Sequence, residues 1–250
     1  MKCVGVWYME AIRELKKANF SPERTVHVLW VPDEEIGGDD GMMKLIETDF
    51  FKALNAEFAM DEGMANPGPE YVMYYSERLP WHCEVTVKGQ PGHGSQFIPN
   101  SVGEKLRKVI DKFMDFAASE KAKTENCPHP LSLGEVNTIN LTQINGGVQY
   151  NVVPDKLTAT FDIRVTPLAD LDHLDGQINK WCTDAAGDEY EINWVQKLDK
   201  KKTTPIEPGF KWWDAFSAAL GNDVKLITTI FPASTDGYFL RSVGEFFHFL

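Results

Sequence analysis

The chain has 250 residues, 43% of them apolar and 25% charged, which is enough for one large or two modest domains with a buried core. The formal net charge is -12, and the richest basic stretch holds four lysines (Lys197, Lys200, Lys201 and Lys202) broken by Leu198 and Asp199. That balance excludes a polyanionic partner such as nucleic acid.

The four cysteines, Cys3, Cys83, Cys127 and Cys182, lie far apart with no C-x-x-C spacing, as expected of free thiols in a reducing compartment. No apolar run approaches the roughly 20 residues of a membrane span. The apolar patch from Cys3 to Met9 is short and is followed at once by Glu10, Arg13 and Glu14, unlike a signal peptide. A cytosolic protein with no membrane partner is expected.

Along the chain, Val4, Trp7, Tyr8, Ala11, Ile12 and Leu15 fall on one face of an amphipathic helix. Residues 25–31 are nearly continuous apolar, which predicts a strand buried on both faces of a parallel sheet. Residues 41–54 read as one helix. Phe58, Ala59 and Met60 form a second short strand, giving an α/β layer.

The texture changes near Pro80. Trp81, Cys83, Val85 and Val87 alternate with polar residues, a half-exposed strand, and a Gly-rich loop around His93 follows. A long helix carries Val102, Leu106, Val109, Ile110, Phe113, Phe116 and Ala117. Strands are expected at 135–144, 157–165 and 189–195, with a helix through Leu171, Leu174, Ile178, Trp181 and Cys182. That order is β-α-β-β-α-β, a ferredoxin-like unit inserted at 81–196 between two parts of an α/β domain, 1–80 and 197–250. Helix 212–220 and strand 224–230 return to the α/β texture.

Both early strands end in acids followed by glycine: Asp33-Glu34-Glu35 before Gly37-Gly38, and Asp61-Glu62 before Gly63. Ligands of open α/β sheets bind beyond the carboxyl ends of strands. Adjacent strands would bring these carboxylates into one crevice, where like charges destabilise the fold unless a cation neutralises them. A divalent metal site is the physical reading; two ordinary acidic loops are the alternative.

The stretches PDEEIGG, DEGMANP, YSERLPW, GQPGHGS, GGVQYNVVP, FDIRV and PASTD occur in an order that resembles the M20 metallopeptidase family over essentially the whole chain. The resemblance implies a zinc-peptidase-like catalytic domain carrying a lid that makes a homodimer. It implies hydrolysis of a small N-acyl-L-amino acid to a carboxylate and a free L-amino acid, with two Zn2+ ions in the complete site. M20 dipeptidase or carboxypeptidase activity is the alternative within the family.

By the same resemblance Glu34 corresponds to the general base and Glu35 and Glu62 to zinc ligands. Asp61 stands beside Glu62, and His93 corresponds to the lid histidine that serves the partner subunit's site. Asn151, Arg164 and Thr235 correspond to substrate-side positions. The Arg164 fork suits both oxygens of a free carboxylate. Read without the family, His93 is a loop residue, Arg164 a solvated charge, Asn151 a turn residue and Thr235 a helix cap.

The family's other ligands, an early His-x-Asp, a bridging Asp and a late His, have no counterpart. The one His-x-Asp, His173-Leu174-Asp175, falls in a helical stripe, and the last residues, 245–250, depart from the pattern. Two carboxylates fall short of the three protein ligands a catalytic zinc takes. A weak or absent metal site, and with it a non-catalytic dimerisation fragment, is therefore the alternative from a different class.

Overall fold

The computed structural model describes residues 2–65, 68–125, 132–199, 202–221, 224–244 and, by their backbone, 246–249. Cys127 lies outside the described residues. Two compact units are present. Unit 1 comprises 1–74, 204–228 and 235–250, and unit 2 comprises 75–203 and 229–234.

Unit 1 opens with α1 (Lys2–Lys17), where Lys16 and Lys17 complement the negative end of the helix dipole. The expected stripe is helical but largely uncovered: Gly5 is buried, while Trp7 remains 66% exposed. The expected strand at 25–31 does not form, and Val26 and Trp30 are 68% and 64% exposed. Apolar content favours burial, but a strand also needs a neighbour to take its backbone donors and acceptors. No described strand pairs with this segment. Instead the Trp30 ring lies over Gly5, its Cη2 standing 2.2 Å from where a Cβ would sit.

The single helix expected at 41–54 is two, α2 (Met42–Leu45) and α3 (Asp49–Leu54). The break is made by Thr48, whose hydroxyl accepts from the backbone N–H of Phe51 at 3.1 Å and starts a new helix. Next come β1 (Phe58–Asp61) and β2 (Tyr71–Glu77). After unit 2 follow α6 (Lys211–Leu220), β9 (Leu226–Phe231), α7 (Gly237–Ser242) and β10 (Phe246–Phe249). Their sheet has the order β1-β10-β2-β9, with β1 and β10 parallel. The division between the units falls within β2 and β9.

Unit 2 contains β3 (Leu79–Lys88), β4 (Gly92–His93), α4 (Val102–Glu125), β5 (Thr138–Gly146), β6 (Val152–Val153), β7 (Lys156–Val165), α5 (Leu171–Ala186) and β8 (Tyr190–Lys197). The main sheet has the order β5-β7-β3-β8 and is antiparallel throughout, the ferredoxin-like arrangement expected from the element order. Alternation along β3 and β7 sends Trp81, Cys83, Val85, Phe161 and Ile163 into a fully buried face. Phe113 of α4 stacks on Phe161 at 4.0 Å between ring centroids and meets Trp181 of α5 edge-on at 5.2 Å. Asp170 caps α5 by accepting from His173 N–H at 3.0 Å. The mixed α/β fold is therefore one half-covered α/β unit and one well-packed α+β unit.

Candidate active site

In unit 1 the acidic stretch is a tight turn. Asp33 adopts left-handed backbone angles (φ 63°), and one 3-10 turn, Glu34–Ile36, follows. The Asp33 carboxylate accepts from the Asp40 N–H at 2.8 Å, closing the loop across seven residues. Two glycines make the closure possible. A Cβ on Gly41 would stand 2.0 Å from the Pro32 carbonyl oxygen, and one on Gly38 would stand 2.6 Å from Asp236 Oδ1.

The acids were expected to meet because their strands were adjacent. That adjacency does not form, since the parallel neighbour of β1 is β10 and 25–31 forms no strand. Asp236, buried at the start of α7, is the common neighbour. It touches the acidic turn at Gly38, and its charge also acts on Asp61 at the end of β1. Burial, the adjoining Glu62 side chain and the Asp236 charge push the Asp61 carboxyl up to about 8. Tyr8 of α1 senses the same acids: burial first, then the charges of Asp61 and Glu62, raise its hydroxyl above the usual tyrosine range. Sequence reasoning assigned no role to Asp236 or Tyr8. The signal for Asp236 lay in PASTD, where Thr235 drew attention instead.

Glu34 is half-buried and Glu35 exposed, and Glu62 is half-buried at the end of β1. Among the described residues no three His, Cys, Asp or Glu side chains are grouped so that they could hold a metal ion. Glu35 and Glu62 thus do not fit a zinc site by themselves. Thr235 uses its hydroxyl to accept from the Gly237 N–H at 3.1 Å, opening α7.

Unit 2 brings two of the expected residues together and holds a third apart. β4 pairs with β6, setting His93 opposite Val152, and the Gly94 N–H donates to the Asn151 carbonyl at 2.8 Å. His93 Nδ1 lies 2.8 Å from the Ser95 hydroxyl, leaving the exposed ring pointing its other nitrogen away from that contact. The Asn151 side-chain oxygen is buried and finds no hydrogen-bond partner among the described residues. Arg164 sits near the far end of β7, eight residues beyond Lys156. At about 3.4 Å per residue that is roughly 27 Å from the strand's beginning. There Arg164 Nε and Nη2 donate to the two oxygens of Asp162 at 2.7 and 3.1 Å.

Residues 75–189 match the family model described as M20_dimer, peptidase dimerisation domain. The chain is 42% identical to Aminoacylase-1 of Mus musculus over 245 residues, covering 98% of this chain and 60% of that protein. It is 35% identical to Aminoacylase-1 of Dictyostelium discoideum over 256 residues, covering 98% and 62%. Among solved structures it is similar to aminopeptidase PepT of Bacillus cereus, with a TM-score of 0.60, 14% identity and coverage of 96% of this chain and 59% of that one. A dinuclear metal-binding peptidase of the M20 family from Bacillus subtilis gives a TM-score of 0.54 at 15% identity, covering 88% and 54%. At such identities the structural likeness concerns the fold. The chain spans about 60% of the length of the curated mammalian relatives it matches.

Proposed function

The chain belongs to the M20 peptidase family, and on that premise we propose that it acts as an aminoacylase-type amidohydrolase on N-acyl-L-amino acids. The observation that carries this reading is 42% identity to Aminoacylase-1 sustained over 98% of the chain, in which the acidic turn, the His93 loop and the Arg164 strand all lie.

In this reading Glu34 takes a proton from the water that attacks the acyl carbonyl. Its position in a turn closed by Asp33 and two glycines supports a fixed orientation. His93 stabilises the oxyanion of the tetrahedral intermediate. The C–N bond then breaks, the amine leaves with a proton, and the products are a carboxylate and a free amino acid. Asn151, Arg164 and Thr235 hold the substrate, Arg164 through its free carboxylate. Glu35 and Glu62 are the carboxylates the family resemblance would give to zinc, fewer than the three protein ligands a catalytic zinc takes.

The dimer belongs to the same proposal. β5 is an edge strand whose nine residues, Thr138–Gly146, include no charge and no proline, and beyond it Val148 and Tyr150 are fully or nearly fully exposed. An uncharged edge of that kind is a template for pairing with a second copy. Such pairing supports a site that takes His93 and Asn151 from one copy and Glu34 from the other.

The match of 75–189 to the peptidase dimerisation domain favours a second reading, a non-catalytic dimerisation module, alongside acids that among the described residues do not gather in threes. One panel separates these readings: the purified protein incubated with N-acetyl-L-methionine, with a methionine dipeptide, and with neither. Methionine released from the N-acetyl substrate supports the proposal. Dipeptide cleavage without N-acetyl hydrolysis points to an M20 peptidase, and no turnover of either points to the module.

A further inference from the structure

Arg164 is not a free cation. Its Nε and Nη2 are both committed to Asp162, two residues earlier on the same face of β7, at 2.7 and 3.1 Å. That bidentate grip fixes the plane of the guanidinium. It leaves Nη1 without a partner among the described residues, so the end of the fork bearing Nη1 is the edge a ligand would meet. Directly across the sheet, His82 of β3 is paired with Asp162, its Nε2 standing 3.4 Å from the same Oδ1.

A surface ion pair two residues apart is normally worth little. The setting here differs, because a second guanidinium is close by. Arg78, 5% exposed, gives its Nε to the Pro232 carbonyl at 2.7 Å and its Nη1 to the Thr138 hydroxyl at 3.0 Å, both neutral acceptors. Burial first, then the Arg164 charge, lowers its guanidinium to about 10, with Asp162 opposing. Asp162 is thus the carboxylate that offsets both arginines, and without it Arg164 would be pushed from Arg78 and free to rotate.

We infer that Asp162 is a positioning residue: it holds Arg164 with the Nη1 end of its fork presented to the free carboxylate of an N-acyl amino acid. The inference rests on the proposed function for the identity of that carboxylate, but not for the geometry of the Asp162–Arg164 pair.

Two measurements test it on the full chain. In the first, the Nε–H of Arg164 is identified by 15N NMR through its loss in Arg164→Lys, and its exchange with solvent is measured. Asp162→Asn keeps the shape and removes the charge, and should speed that exchange about tenfold or more, while Asp162→Glu should restore part of the protection. Exchange unchanged in Asp162→Asn overturns the positioning role whatever the protein binds. In the second, affinities for N-acetyl-L-methionine and for its uncharged carboxamide are compared. The wild type should prefer the acid about tenfold, and Asp162→Asn should lose that preference while staying folded by circular dichroism. A preference kept by Asp162→Asn overturns the inference and leaves the function standing. No preference in the wild type, with exchange protection intact, removes the carboxylate role of Arg164 and counts against the proposed function itself.

Discussion

Gly38 and Asp236 stand in contact across unit 1, with the position of a Cβ on Gly38 only 2.6 Å from Asp236 Oδ1 and 2.9 Å from the Phe239 ring. Gly38 also has φ +73°, a conformation that favours glycine. Gly38→Ala must therefore strain the backbone and displace the start of α7 together. A loss of about 1–3 kcal/mol in unfolding free energy is expected, measured by urea denaturation. A loss below a few tenths would show that the acidic turn and Asp236 are not packed as described.

Arg78 ties two other stretches of unit 2 to its own, bonding Pro232 in one and Val136 and Thr138 in the other from a buried position. Arg78→Lys keeps the charge but cannot span those acceptors with one ammonium group. Both Arg78→Lys and Arg78→Ala should destabilise the protein by about 2–4 kcal/mol, seen as a lower midpoint in denaturant. Near-wild-type stability for the lysine variant would mean that charge alone is what the site requires.

Unit 2 was legible in the sequence because each of its elements carries its own pattern. Alternation in β3 and β7 and the stripes on α4 and α5 close into one core in which Phe113, Phe161 and Trp181 meet. Unit 1 was less so. The run at 25–31 has the composition of a buried strand, but burial of a strand depends on a neighbour, and composition carries no record of one. The same gap misplaced the acids. Their strands were expected side by side, whereas Asp236, 175 residues beyond Asp61 in the chain, is what relates them. The substrate-side residues were named from motifs, and no motif reveals that the Arg164 fork is already held by Asp162.

Asp162 also gives a pH dependence of definite sign. Burial raises its carboxyl, but the hydrogen bonds and charge of Arg164, aided by His82, outweigh this and hold it below 3.8. A carboxyl lowered on folding stabilises the native state above the unfolded value and loses that contribution as pH falls through the folded one. Stability should thus decline on acidification from about pH 4, and less steeply in Asp162→Asn. Equal slopes for the two proteins in thermal melts across that range would contradict the assignment.

The β5 edge predicts an assembly. Ile144, 57% exposed on that strand, becomes a charge in Ile144→Lys, which should block strand pairing between copies. Sedimentation is expected to show a dimer for the wild type and a monomer for the variant, with unchanged circular dichroism. A variant dimer as tight as the wild type would place the interface elsewhere.

In the proposed reaction Glu34 and His93 act on the same acyl group, and two copies of the chain supply them. Release of methionine from N-acetyl-L-methionine is measured for Glu34→Gln, for His93→Ala, and for the two mixed and allowed to exchange subunits. Each variant alone should fall by about 10²–10⁴ from the wild-type rate, and the mixture should regain activity through dimers that pair an intact Glu34 with an intact His93. Full activity in either variant alone, or no recovery once mixed dimers are shown to have formed, would contradict the account.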